Sequence, residues 1–168
     1  MSTRTNVGRV MVALMVTTAA GILFAASPHY KKGGQPVCTV SGDTVTCSTG
    51  TVAGLGNFDV EVSIFFNASQ NQLCHAPGAS GQTAQGQNPA IGSGGAGISI
   101  PKGDIKNGTL IVPSISATAN ITASDAEGAG CPNPNWTVTL DGPVTISGGV
   151  YTFESPPGTV IPKLSFTF

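Results

Sequence analysis

Cys38-Thr-Val-Ser-Gly-Asp-Thr-Val-Thr-Cys47 constrains the fold more than any other stretch of the chain. Glycine at the first central position suits a two-residue type II′ turn, so Gly42-Asp43 predicts a hairpin. Counting outward, Ser41 faces Thr44, Val40 faces Val45, Thr39 faces Thr46 and Cys38 faces Cys47. Hydrogen-bonded and non-hydrogen-bonded pairs alternate from a bonded pair beside the turn. The two cysteines then fall on a non-hydrogen-bonded pair, where Cα atoms approach most closely and a bridge can close. That leaves Cys74 with Cys131. Four cysteines allow three connectivities, and the hairpin favours this one. In loop-entropy terms the short bridge is worth about 2.7 kcal/mol and the long one about 4 kcal/mol.

All four cysteines lie downstream of an apolar stretch. Residues 1–9 carry Arg4 and Arg9 and no acid, and residues 10–26 are apolar, ending Leu23-Phe24-Ala25-Ala26-Ser27. That is the layout of a secretory signal, which leads to an oxidising compartment where paired cysteines form disulfides. Cleavage after Ala26 or Ser27 lacks a good small-x-small site, and the 17-residue apolar run is at the lower limit for spanning a bilayer. Residues 1–30 therefore read as a signal peptide or as an N-terminal membrane anchor. Either way, residues 31–168 form one domain outside the cytoplasmic membrane, secreted or at the cell surface.

Only 9% of the residues are charged, against about 25% in ordinary soluble proteins. Beyond Arg9, five lysines face eight acids, a net charge of −3. Such a chain lacks the basic footprint that nucleic-acid phosphates require. Recurrent strand-like segments argue equally against disorder.

Alternation, β-branched residues and closely spaced turn residues replace helical periodicity after residue 26. The clearest core strand is Phe58-Asp-Val-Glu-Val-Ser-Ile-Phe-Phe-Asn67. Phe58, Val60, Val62, Ile64 and Phe66 share one face; Asp59, Glu61, Ser63, Phe65 and Asn67 share the other. Further strands are expected at 70–74, 97–101, 108–116, 136–140, 144–147, 149–154 and 160–168. Pro113 marks its run as an edge or a bulge. Residues 75–96, rich in Gly, Gln, Ser and Asn, read as a long flexible loop. The expected fold is an immunoglobulin-like antiparallel β-sandwich of seven to nine strands with two disulfides.

Residues able to carry chemistry are few. Gly92-Ser-Gly-Gly-Ala-Gly97 matches G-x-G-x-x-G, yet no strand–helix context surrounds it, so it reads as a turn leading into a strand. Asp59 and Glu61, about 7 Å apart on one wet face, have the separation of a glycosidase pair or a cation site. A solvated face is the ordinary reading. Asp125 and Glu127 form a small acidic loop, a weak cation candidate without the ligand count of a calcium loop. The two histidines are His29 and His75; His75 adjoins a cysteine expected to be oxidised, which disfavours zinc. No G-x-S-x-G elbow supports a serine hydrolase. No metal, cofactor or catalytic residue is expected. Phe65 on the wet face, Trp136 after the stiff Pro132-Asn-Pro134 approach, and Tyr151 are the candidate contact aromatics.

Cys38…Cys47-Ser-Thr-Gly-Thr-Val-Ala-Gly-Leu-Gly-Asn57, Gly86-Gln-Asn-Pro89, Ile105-Lys-Asn-Gly108 and Gly130-Cys-Pro-Asn-Pro-Asn-Trp136 resemble a group of small secreted bacterial proteins without assigned activity. The likeness spans about 37–168. It implies a secreted, disulfide-bonded β-domain and supplies no catalytic residues. His75-Ala-Pro-Gly78 departs from the Thr-Asn-Pro-Gly expected after the third cysteine.

These features predict a non-enzymatic extracellular or cell-surface structural or interaction module, with a cell-envelope component, protein or glycan, as partner. The alternative is a carbohydrate-binding module using loop 75–96 and an exposed aromatic.

Overall fold

A computed structural model describes residues 27–78 and 81–168. The signal or anchor segment expected over 1–30 falls mostly outside the described residues. Within them the chain is all-β, with eleven strands and two short 3₁₀ turns. The strands are β1 (His29–Tyr30), β2 (Cys38–Ser41), β3 (Thr44–Cys47), β4 (Gly50–Ala53), β5 (Val60–His75), β6 (Thr83–Gln85), β7 (Ala90–Ile100), β8 (Thr109–Val112), β9 (Ile115–Thr118), β10 (Thr137–Glu154) and β11 (Phe166–Thr167). They form three antiparallel sheets. One is ordered β1-β4-β8 and another β2-β3-β9. In the largest, β11-β10-β5, both β6 and β7 pair with the free side of β5.

The hairpin adopts the expected register, Cys38 opposite Cys47 through Ser41 opposite Thr44. Gly42 has φ +60°, the left-handed value that a type II′ turn needs at its first central residue. Ser48 donates its main-chain N–H to the Val37 carbonyl. Val37 and Ser48 therefore form a bonded pair, which makes Cys38/Cys47 the non-bonded pair, with Cα atoms 3.9 Å apart. Cys74 is bridged to Cys131.

β5 is longer than the sequence reading suggested. Segments 58–67 and 70–74 are one 16-residue strand with a single inward phase, in which Val60, Val62, Ile64, Phe66, Ala68, Gln72 and Cys74 are buried. Phe58 departs from that phase: it precedes the strand and is 39% exposed. β10 likewise joins 136–140, 144–147 and 149–154. Opposite β5 it carries two extra residues between Asp141 and Thr145 and one between Ile146 and Gly149. The expected breaks at Gly142-Pro143 and Gly148-Gly149 are therefore bulges. The run expected as one strand over 108–116 is split instead: Pro113 follows the end of β8, and the chain moves from β8 in one sheet to β9 in another. Half of the expected loop 75–96 is sheet: His75 ends β5, and β6 and residues 90–96 of β7 lie within it.

Val45 and Cys47 (β3), Val52 (β4), Leu110 and Val112 (β8), Val60 to Phe66 (β5), and Tyr151 and Phe153 (β10) pack into one core, so all three sheets share it. Tyr151 stacks on Phe166, ring centroids 4.8 Å apart.

Candidate interaction surface

Strand register builds the outer face of the largest sheet. Thr167, Val150, Phe65 and Gly95 form one row across β11, β10, β5 and β7. Thr152, Ser63 and Gly97 form the next row, and Glu154, Glu61 and Ser99 the one beyond. Phe65 is 54% exposed and Val150 43%, side by side as a directly opposed pair. A Cβ at Gly95 would lie 3.6 Å from the Phe65 ring, and one at Gly97 would meet nothing closer than 3.8 Å. β7 therefore leaves a shallow trough beside the ring, bordered by hydroxyls. Phe65 lies where the sequence placed it, on the wet face, and nothing in the described residues covers it.

The other sequence candidates do not join it. Tyr151 is a correction: it is 1% exposed, on the opposite face of the sheet. It pairs with Ile64, one residue out of phase with Phe65, so the same alternation that exposes Phe65 buries Tyr151. Trp136 is half-buried just before β10, near the Thr137/His75 end, about 30 Å from Phe65 by strand rise. Within loop 75–96, residues 83–85 and 90–96 pair with β5, so half of it is strand rather than loop.

Two of the acidic candidates, Asp59 and Asp125, have structural partners. Asp59 lies just before β5, and its carboxylate accepts the main-chain N–H of Lys102 at 2.8 Å. Glu61 is opposed by Glu154, whose carboxylate accepts the Gly158 N–H. Asp125 accepts the Gly128 N–H at 2.7 Å and closes its own turn, while Glu127 is exposed. His75 Nε2 is 2.9 Å from the Thr139 hydroxyl, and His29 Nδ1 is 2.9 Å from the Ser27 carbonyl. No group of three metal-ligating side chains occurs among the described residues.

Two features escaped the sequence reading. Gln72 is the one buried polar side chain among the described residues. Its Nε2 donates to the Asn88 carbonyl (3.0 Å), and its Oε1 accepts the Ser124 N–H (2.8 Å). Asn88 in turn binds main-chain groups of Gly128 and Ala129. This clamp draws Gly86-Gln-Asn-Pro89 and the segment around Gly130-Cys131 together beside the Cys74–Cys131 bridge. The phase of β5 marks Gln72 as inward once the strand is read as continuous. The second feature is a tyrosine pair. Tyr30 donates its hydroxyl to the Leu164 carbonyl at 2.7 Å, and burial pushes its pKa up to about 12, partly offset by its contact with the Tyr151 hydroxyl. Burial raises Tyr151 further, with Tyr30 adding to the rise. The Tyr151 hydroxyl faces Tyr30 without a hydrogen bond of good geometry.

An open apolar groove of about 630 Å³ runs along the ends of β7 and β8, lined chiefly by Ile98, Ile100, Leu110, Ile111 and Pro113. Ile111 is 71% exposed. Comparison with protein-family models, curated proteins and solved structures finds no match for the chain.

Proposed function

We propose that this protein is a non-enzymatic interaction module of immunoglobulin-like sandwich type, working outside the cytoplasmic membrane and binding a cell-envelope component. One observation carries the reading: the exposed Phe65/Val150 pair beside the side-chain-free trough of Gly95 and Gly97. A sheet face fixed by main-chain bonding on both sides of β5 costs little entropy to present, and an exposed aromatic on it is a natural anchor. Two disulfides support the extracellular placement. No helix among the described residues is long and apolar enough to cross a membrane. The three sheets packed on one core support the sandwich. The resemblance to small secreted bacterial proteins supports the same placement. The Gln72 clamp gives two of its motifs a common structural purpose.

The occupations of Asp59, Asp125 and Glu154 favour binding over acid–base catalysis. Phe65→Ala is the test. Phe65 is exposed, so its loss leaves the urea unfolding midpoint nearly unchanged, while retention on isolated cell envelopes falls at least tenfold. Undiminished retention removes the face from consideration. A second reading, carbohydrate binding, now rests on Phe65 and the trough in place of loop 75–96 and Tyr151. It requires that soluble envelope glycan compete for retention where protease-stripped envelope protein does not.

A further inference from the structure

The strands of the largest sheet, β5, β6, β7, β10 and β11, contain no lysine or arginine. Their acids are Glu61, Asp141 and Glu154. Register places all three on the outer face. Glu61 opposes Glu154 and Asp141 opposes Asn71, and the odd-numbered residues of β5 share the outward phase of Phe65. The lysines, Lys31, Lys32, Lys102, Lys106 and Lys163, all lie outside these strands. The face that presents Phe65 therefore carries charge of one sign.

Glu61 and Glu154 are a directly opposed cross-strand pair, and like charges in that position repel and cost stability. Glu154 uses one oxygen to accept the Gly158 N–H at 2.6 Å, which fixes its carboxylate, while Glu61 is exposed. A glutamine carbonyl would serve the Gly158 contact as well, so the fold gains nothing from the two charges. The pair also stands in line with the apolar anchor. Phe65 and Val150 form one row, Ser63 and Thr152 the next, and Glu61 and Glu154 the third. Successive rows are about 6.6 Å apart along the strand, which sets the carboxylates about 13 Å from the ring. Gly95, Gly97 and Ser99, all exposed on β7, run beside the three rows. The trough beside the ring thus leads to the carboxylates, with only the Ser99 hydroxymethyl at its end.

From this line of groups we infer that the Phe65 face takes an extended, cationic protein segment. An apolar side chain sits over Phe65 and Val150, and a lysine or arginine four residues along the segment meets Glu61 and Glu154. The inference rests on the envelope-binding reading of this face and names the chemistry of its partner. An extended chain has the same two-residue repeat as the rows beneath it, so a segment lying along the trough stays in step with them. The Ser63/Thr152 hydroxyls fall between anchor and charge. One cation placed between two carboxylates relieves the repulsion built into the free protein, so charge favours the complex and speeds encounter. Asp141 extends the same sign of charge along the face.

Retention of the full chain on isolated cell envelopes tests this, with urea unfolding read on the same variants. Glu61→Gln combined with Glu154→Gln should lower retention about fivefold at low salt. Its urea midpoint should hold or rise, because the repulsion is gone. Retention of the native chain should fall as salt is raised, and that of the double variant should not. Glu61→Lys creates an opposite-charge pair with Glu154, so it should raise the midpoint while retention falls. Pronase digestion of the envelopes should abolish retention of the native chain. Native-level retention of the double variant, or retention that survives pronase, overturns the cationic protein partner. In that case a loss with Phe65→Ala still upholds the Phe65 face. If Phe65→Ala is retained as well, the face falls and the inference falls with it. Should the double variant fail to accumulate, the salt dependence and the pronase result on the native chain decide.

Discussion

At the scale of single residues, stability rests on a few buried polar groups. The chain has two tyrosines, and both are packed into the core region around Leu164 and Phe166. Burial raises Tyr30 to about 12 and raises Tyr151 as well, so the fold favours their neutral forms. The unfolded chain ionises its tyrosines near pH 10. The contribution is therefore complete below pH 10 and is lost as pH climbs toward the folded values. Absorbance at 295 nm should show no phenolate step near pH 10 in the native protein. Phenolate should instead rise above pH 11 together with loss of the β-sheet circular dichroism signal. A separate step near pH 10 would mean that at least one ring is solvated. Gln72 makes the complementary case. Gln72→Leu leaves the Asn88 carbonyl and the Ser124 N–H without their partner, at a cost of about 2–4 kcal/mol. Urea unfolding measures it, and a loss under 1 kcal/mol would mean that water replaces the amide.

At the scale of elements, the glycine strand β7 is the informative case. Gly94 opposes Phe66 on the inner face, and a Cβ at Gly94 would lie 2.2 Å from the ring. Gly94→Val therefore forces a fully buried ring out of place and should cost about 1–3 kcal/mol. Gly97→Val, three residues along the same strand, has room for its side chain and should be neutral or mildly stabilising. Urea midpoints of the two variants separate a packing role from a turn role for these glycines. The same strand explains what could be read from sequence. The hairpin register and the Cys38–Cys47 bridge were legible because turn chemistry and close cysteine spacing are local, and Cys74–Cys131 followed only as the pair left over. The inward phase of Val60 to Phe66 was legible because alternation is local too. The last part of β7 falls within the strand expected at 97–101, but its first part was not legible, since Gly92 to Gly97 carries no alternation of its own and becomes a strand only by lying against Phe66 and its neighbours. The G-x-G-x-x-G string is accordingly strand rather than turn. β4 escaped for a similar reason, and β10 was broken at bulges that only the continuity of β5 bridges. Of the candidate face, Phe65 was readable from period two. Val150 and the trough needed the register between strands.

At the scale of the whole molecule, the two ends of the long β5–β10 ribbon are held by different physics. The Val60–Phe66 end rests on the shared apolar core. The Gln72–His75 end lies outside that core and is held by the amide clamp, by small buried Ala126 and Ala129, and by the Cys74–Cys131 bridge. Little apolar area is buried there, so the bridge supplies a large part of what keeps that end closed. It spans 57 residues and contributes about 4 kcal/mol in loop entropy. The chain provides separate reporters for the two ends. Its single tryptophan, Trp136, follows Cys131 by five positions, and both tyrosines sit at the core end. Replacing Cys74 and Cys131 by serine should shift tryptophan emission to the red under native conditions, while tyrosine ionisation still waits for pH above 11. Replacing Cys38 and Cys47 should leave tryptophan unmoved and cost less, about 2.7 kcal/mol, because the hairpin loop is short. If tryptophan and tyrosine respond together in the Cys74/Cys131 variant, the ribbon unfolds as one unit and the clamp end has no local stability of its own. If they separate, the exposed Phe65 surface survives reduction, because β5, β7 and β10 around Phe65 are anchored by core and register rather than by sulfur.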